Sequence, residues 1–258
     1  MPIDKQLISF YTILRKGFIR ITRIWSQTLL PSIVTSVLYF AVFGNILGSR
    51  IGTLNGVPYI LFVVPGLVML AVITNSYMEV ANTFFMAKFF ARNIDEILVS
   101  PTPPAIIIAG FVASGVVRGM IVGVLVLIIS LFFALPSVAH PLIVLLFLFL
   151  SSLVFALGGL INGIYAKSFD GIAIVPTFVL TPLVYLGGVF YSIHSLPPLW
   201  QKVSLFNPIF YIINGFRYGF LGTADVSPLT CVAVLLGMTL VLLAANVYFI
   251  KKGLGLKQ

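Results

Sequence analysis

The stretch KFFARNIDEILVSPTPP, residues 88–104, is a compact charged segment in a chain that is otherwise close to continuous hydrocarbon. Its charged side chains, Lys88, Arg92, Asp95 and Glu96, fall within nine residues. The prolines at its end stop any helix that forms here, because proline lacks a backbone donor and restricts the residue before it. A polar helix between two apolar runs must lie in water or against another protein. The stretch therefore predicts a docking element between two membrane spans.

The composition on both sides of this segment is that of an integral membrane protein. Of the 258 residues, 60% are hydrophobic and 8% are charged, whereas a soluble domain carries about 25% charged residues. The apolar runs do not alternate with polar residues, so helices rather than barrel strands are expected. A removable signal peptide is not expected either, because the basic N-terminal segment contains no apolar core with a small-residue cleavage site.

Residues 6–25 have the pattern of an amphipathic helix that lies on the membrane. Lys16, Arg20 and Arg23 fall on one face. The opposite face is apolar and comprises Leu7, Tyr11, Leu14, Phe18, Ile21 and Trp25, at alternating spacings of four and three. A basic amphipathic helix of this kind suits an anionic membrane surface. A helix packed against a partner protein is the alternative.

Six apolar runs are long enough to form spanning helices, which need about 20 residues. The predicted spans 1 to 6 cover residues 29–47, 59–82, 105–133, 141–166, 171–191 and 228–250.

Residues 192–220 differ from the spans, because their longest charge-free run has 14 residues. Runs of this length favour short re-entrant helices, here in the outer leaflet. The residues that mark this element are Pro197, Pro198, Trp200, Asn207, Pro208 and Arg217.

The distribution of basic residues predicts the orientation of the chain. Six spans put both termini on one side, and eleven of the fifteen lysines and arginines fall there: five before span 1, two between spans 2 and 3, one between spans 4 and 5, and three after span 6. Basic residues favour the cytoplasmic side, so both termini and the 88–100 segment are predicted to be cytoplasmic. Topology thus accounts for the net charge of +9, and nucleic-acid binding is not expected.

Two charged residues fall inside or near predicted spans. Arg118 lies deep in span 3, where a charge costs roughly 2.5–3.5 kcal/mol on insertion scales. It is a candidate contact for an anionic substrate headgroup or a pivot, unless backbone carbonyls and hydroxyls of neighbouring spans satisfy it. Glu79 lies near the predicted end of span 2, where it either snorkels to the interface or pairs with a basic residue of the charged segment.

Gly115, Gly119 and Gly123 form a stripe of small residues at a spacing of four in span 3. Glycines at this spacing let two helix backbones approach closely in lipid. The stripe predicts either close packing within the chain or the seam of a homodimer.

Catalytic, cofactor and metal sites are not expected in this chain. His140 and His194 have no Cys, Asp or Glu at ligand spacing. The run Ala166-Lys167-Ser168 lacks the glycine that precedes lysine in a phosphate-binding loop. A membrane-embedded enzyme would require a cluster of acidic, basic or metal-binding side chains, and the sequence contains no such cluster.

Four motifs give the chain a family resemblance over essentially its whole length, residues 1–258. They are the basic amphipathic start at 15–25, Phe-Val-Val-Pro-Gly at 62–66, the charged segment with its prolines at 92–101, and the aromatic, proline-rich stretch at 196–219. With these motifs the chain resembles the permease subunit of type-2 ABC exporters.

The resemblance implies a single transmembrane domain in the bacterial inner membrane, which forms a homodimer with two copies of a separate ABC ATPase. ATP and Mg²⁺ would bind to that partner, with no cofactor in this chain. Residues 6–25 would be the elbow helix and 88–100 the coupling helix, and the substrate would be a lipid, a lipid-linked glycan or a drug. The residues predicted to dock the ATPase are Phe89, Arg92, Asn93, Asp95, Glu96 and Leu98.

Two questions stay open at the level of sequence. The docking face of the coupling helix is either its charged edge or the apolar set Phe89, Ile94 and Leu98. The runner-up function is an ion-coupled carrier of a small hydrophobic compound, which would want carboxylates or histidines within its spans.

Overall fold

A computed structural model describes residues 3–54, 56–90, 94, 96–97 and 100–255. The fold is all-α, as predicted, with six helical segments that are long and apolar enough to cross a membrane. Spans 1 to 6 are Trp25–Ile51, Tyr59–Phe89, Pro104–Ser130, Pro141–Tyr165, Phe169–Leu186 and Pro228–Lys252. In the described part of the chain, strands are limited to Thr53–Leu54 and Val57–Pro58, which pair antiparallel between spans 1 and 2.

The N-terminal helix, Ile3–Arg23, packs along one edge on span 3 and leaves its apolar side open. Ile21 is buried, and a Cβ atom at Gly17 would lie only 2.6 Å from the Cβ of Ser114. Leu7, Tyr11, Phe18 and Trp25, from the predicted apolar face, are all exposed. The helix therefore presents hydrocarbon outward, which suits a membrane surface.

Spans 2, 3 and 4 form the core of the bundle, and spans 1, 5 and 6 lie at its periphery. The glycine stripe of span 3 faces inward, where any side chain would collide with a neighbour. Those neighbours are Val80 and the Ser76 carbonyl for Gly115, the Ser76 and Ser152 hydroxyls for Gly119, and Leu148 and Val72 for Gly123. Spans 2 and 4 of the same chain occupy this surface, which supports packing within the chain over a dimer seam.

Spans 1 and 5 are interrupted helices. Span 1 consists of Trp25–Thr28, Leu30–Tyr39, a π-helical stretch Phe40–Leu47 and Gly48–Ile51. Span 5 consists of Phe169–Val175, a π-helical stretch Pro176–Leu180 and Thr181–Leu186. In span 5 the Thr181 hydroxyl donates to the Pro176 carbonyl at 2.9 Å, which satisfies a backbone acceptor at the proline-induced break.

Between spans 5 and 6 lie a 3₁₀ turn, Ile193–Ser195, and two short helices. The first short helix is Pro198–Leu205 and the second is Pro208–Leu221. Gly215 and Gly219 let the second short helix approach Phe147 and Val144 of span 4 closely. This helix is therefore part of one end of the bundle.

Span 2 is longer than the sequence analysis predicted, since it continues from residue 82 to Phe89. Lys88 thus belongs to the last turn of span 2, and it is buried. Its Nζ atom donates to the carbonyls of Ile164 at 3.0 Å and Gly255 at 2.5 Å. These remote acceptors stabilise a lysine that the sequence placed in the polar segment. Span 5 is shorter than predicted and ends at Leu186 rather than at residue 191.

Candidate functional site: a buried charge cluster and an interfacial groove

Glu79 and Arg118 form an ion pair inside the bundle. The Arg118 Nη1 atom donates to Glu79 Oε2 at 2.6 Å, and Arg20 Nη2 of the N-terminal helix lies 3.5 Å from the same oxygen. The Thr83 hydroxyl donates to the other carboxylate oxygen at 3.1 Å. The Glu79 side chain is 0% exposed. The expectation that Glu79 snorkels to the interface is therefore wrong. Among the described residues its cationic partners are Arg118 and Arg20, and Lys88 of the charged segment is not one of them.

Arg118 also connects span 3 to spans 1 and 2 through neutral acceptors. Its Nη2 atom donates to the Thr28 carbonyl and to Asn75 Oδ1, both at 3.1 Å. One alternative for Arg118 was that backbone carbonyls and hydroxyls satisfy its charge, and the Thr28 carbonyl does take part. The shortest contact of Arg118, however, is to the Glu79 carboxylate, which that alternative did not include. The resulting charge cluster of Arg20, Glu79 and Arg118 joins the N-terminal helix to spans 1, 2 and 3.

The sequence contained a signal for this pair. Glu79 and Arg118 are opposite charges in neighbouring long apolar runs, and a buried charge needs a partner. The sequence analysis missed the pairing because it ended span 2 at residue 82, which put Glu79 near the membrane surface. With span 2 continuing to Phe89, Glu79 lies ten residues from its end, and its side chain is fully buried.

A cavity of about 440 Å³ with partly polar walls opens beside Arg118, between spans 1, 2 and 3. Its walls carry hydroxyl and amide groups, which are uncommon on an otherwise apolar bundle. The lining residues with hydroxyl or amide groups are Gln27, Thr28, Ser32, Thr35, Ser36, Tyr39, Thr74, Asn75 and Asn82. The cavity can therefore hydrogen-bond a polar group within the spanning part of the chain.

A second, larger cavity, the interfacial groove, lies between the N-terminal helix and the last turns of span 2. It has a volume of about 740 Å³. Lys16, Arg20 and Arg23 line one wall, and Met86 and Phe90 line the other. One end is formed by Glu96, Ile97, Ser100 and Thr102. The Ser9 and Thr102 hydroxyls lie 3.4 Å apart at that end. The groove thus combines an apolar interior with a basic wall.

The predicted docking residues fall only partly within the described structure. Arg92, Asn93, Asp95 and Leu98 lie outside the described residues. Phe89 belongs to span 2, and its ring packs 4.6 Å from that of Phe85.

Two further residues of the segment have clear but opposite environments. Ile94 is 1% exposed and contributes to the core, whereas Glu96 is exposed and lines the interfacial groove.

The predicted re-entrant residues anchor the two short helices. Pro197 and Pro198 start the first short helix, which carries the half-exposed Trp200. Asn207 caps the second one: its Oδ1 accepts from the Ile209 backbone nitrogen at 3.0 Å, and its Nδ2 donates to the Leu183 carbonyl at 2.5 Å. Pro208 is the first residue of the second short helix. The cap ties this helix to span 5.

Arg217 of the second short helix is buried and held from two sides. Its Nη2 atom donates to the Gly188 carbonyl at 2.7 Å, and its guanidinium lies 3.8 Å from the centre of the Phe62 ring. Burial lowers the pKa of Arg217 to about 10, so the side chain remains a cation near neutral pH. Arg217 therefore links the second short helix to span 2 and to the loop after span 5.

Comparison with a family model and with known proteins points to one family of membrane transporters. The model of the ABC-2 type transporter family matches residues 8–221. The chain is 52% identical to the inner membrane transport permease YadH of Escherichia coli strain K12, over 97% of this chain and 98% of that protein. It is 25% identical to nodulation protein J of Rhizobium meliloti strain 1021, over 86% of this chain and 84% of that protein. The matched residues run from the N-terminal helix to the last residue of the second short helix, so the chain belongs to the ABC-2 type transporter family.

Proposed function

We propose that the chain is the membrane-spanning permease subunit of an ATP-driven ABC exporter. The family match over residues 8–221 is the observation that carries this proposal. The strong similarity to a protein named as an inner membrane transport permease supports it. The chain would act as a homodimer with two copies of an ABC ATPase, and ATP and Mg²⁺ would bind to that partner.

The charged edge of the 88–100 segment is the proposed docking face for the ATPase. Ile94 is buried, and Phe89 packs on Phe85 within span 2, so two of the three apolar candidates are engaged in the chain itself. Glu96 is exposed and free to meet a partner. Positive-inside topology would place this edge in the cytoplasm, where the ATPase is.

The substrate is proposed to be amphipathic or hydrophobic, with its polar part handled by the cavity beside Arg118. A hydroxylated or anionic headgroup suits the hydroxyl and amide groups of that cavity. The charge cluster supports coordinated movement of this region, because it connects the N-terminal helix, near the docking segment, to spans 1, 2 and 3.

An ion-coupled carrier is the second candidate, and the buried carboxylate of Glu79 is the observation in its favour. Carboxylates within spans commonly carry protons or bind cations. Both oxygens of Glu79, however, are already engaged, one by Thr83 and the other by Arg118. This arrangement suits a structural anchor better than an ion-binding site.

The test is purification of the tagged chain from its native membrane, followed by assay of the complex. We expect an ABC ATPase subunit to co-purify in equal amount and to hydrolyse ATP, with hydrolysis lost when the partner's catalytic site is disabled. If no ATPase subunit is recovered, and vesicles with the chain alone take up a hydrophobic dye in response to an ion gradient, the carrier is the correct function.

A further inference from the structure

The interfacial groove has a basic wall and an apolar interior, and the proposed transport function assigns no ligand to it, although Glu96 at its end belongs to the proposed docking edge and Arg20 to the charge cluster. We propose that it binds one acidic phospholipid of the membrane, with the phosphate on Lys16 and Arg23 and an acyl chain in the groove.

The charge of the wall favours an anion. Lys16, Arg20 and Arg23 follow one another at spacings of four and three, which places them on one side of the N-terminal helix. Of these three basic residues, Arg20 has a carboxylate within 4 Å, that of Glu79 at 3.5 Å. Lys16 and Arg23 have no such partner among the described residues. Of the described residues that line the groove, Glu96 is the one with a carboxylate. The wall therefore keeps an excess of positive charge.

A hydrogen-bond donor of Arg20 that has no acceptor is a second observation in favour of an anionic ligand. Its Nε atom is buried but has no hydrogen-bond partner among the described residues, although its Nη2 atom reaches Glu79. A buried donor without an acceptor costs free energy. A phosphate oxygen on this wall would supply acceptors for the arginine.

The interior and the edges of the groove favour hydrocarbon. Phe111, Ala87 and Ile13 contribute apolar surface to the interior. At the edges, Ile19, Met86 and Phe90 are 46%, 39% and 62% exposed. These edges continue the exposed apolar side of the N-terminal helix, so the groove is open to the surface that faces lipid.

A phospholipid fits both halves of the groove at once. Its phosphate contacts the basic wall, and its acyl chain covers the apolar edges. An acidic peptide, by contrast, would place charged side chains next to the exposed Met86 and Phe90. Acidic lipids are attracted by basic residues near a membrane surface. Burial of the CH₂ groups of a chain adds a further favourable contribution.

The test is native mass spectrometry of the full chain in detergent, titrated with dioleoyl phosphatidylglycerol and, separately, with dioleoyl phosphatidylcholine. We expect one phosphatidylglycerol to bind more tightly than the others and more tightly than phosphatidylcholine. The double variant Lys16→Gln/Arg23→Gln should bind it roughly 30-fold more weakly, as follows from the loss of two basic residues. Both side chains are exposed, so the variant should fold.

Arg15→Gln is the matched control, because Arg15 lies on the same helix and is exposed but does not line the groove. It should change phosphatidylglycerol binding less than twofold. An equal loss in Arg15→Gln would show general surface attraction and would overturn the proposal, as would unchanged binding in the double variant. If the double variant still binds the lipid but no longer retains the ATPase, the groove is a protein-binding site, and the proposal is wrong. None of these results requires transport, so they leave the exporter function to its own test.

Discussion

Glu79 shows how a single residue can connect three elements. It has no exposed surface, and it lies within a membrane span. The cost of removing a carboxylate from water is offset only if cations and donors surround it closely. Arg118, Arg20 and Thr83 do so from span 3, the N-terminal helix and span 2 itself.

Replacing Glu79 with Met should destabilise the fold strongly, because it leaves two arginines near the bundle interior without their carboxylate. Removing one member of a buried ion pair costs about 3–5 kcal/mol in soluble proteins. Thermal unfolding of the purified variant in detergent would measure the loss. The double variant Glu79→Met/Arg118→Met should recover part of the stability, since it removes the unpaired charge as well. Additive losses in the double variant would mean that the two residues are not coupled.

At the scale of elements, the six spans could be predicted from the length of the apolar runs, and their boundaries could not. A run of about 20 apolar residues has few alternatives to a spanning helix. The end of span 2, by contrast, depends on Lys88, whose carbonyl acceptors at Ile164 and Gly255 lie 76 and 167 residues away in sequence. No local sequence pattern predicts contacts between residues so far apart. The sequence therefore places Lys88 in a polar segment and predicts a shorter span 2 than the structure has.

The glycine stripe shows the same division between local and distant information. The spacing of Gly115, Gly119 and Gly123 indicates close packing. The sequence of span 3 alone does not show which residues pack against these glycines. The structure supplies it: Ser76, Val80 and Ser152 from spans 2 and 4 fill the space where side chains would be.

Gly119→Leu should therefore disrupt the core, because its side chain would overlap the Ser76 and Ser152 hydroxyls. Overpacking of a core costs about 1–3 kcal/mol, and more where backbones must separate. The yield of monodisperse protein on gel filtration and its unfolding temperature should both fall. Gly237→Leu in span 6 is the matched control, since no atom lies within 4 Å of the added Cβ position. If both variants behave alike, the stripe is not a tight contact.

At the scale of the whole molecule, the peripheral position of spans 1, 5 and 6 leaves much apolar surface for lipid or for a second copy of the chain. The core of spans 2, 3 and 4 carries the charge cluster, and the 88–100 segment connects two of these core helices. A force applied to that segment would act directly on the most tightly packed part of the bundle. This connection is why we place ATPase docking there and not on a peripheral loop.

Replacing Asp95 and Glu96 with Lys should weaken ATPase docking while leaving membrane insertion intact. The change reverses two charges at the proposed docking edge, and reversal at an interface suppresses a specific partner by like-charge repulsion. Affinity purification of the tagged chain would measure the ratio of ATPase to permease, which we expect to fall at least tenfold. Asp170→Lys is the control, because Asp170 is exposed in the first turn of span 5, on the same predicted side of the membrane. Retention of the ATPase by the double variant would mean that docking rests on the apolar residues of the segment or on another surface. Loss of the ATPase in both variants would indicate a general charge effect, and only a selective loss assigns the docking role to the charged edge.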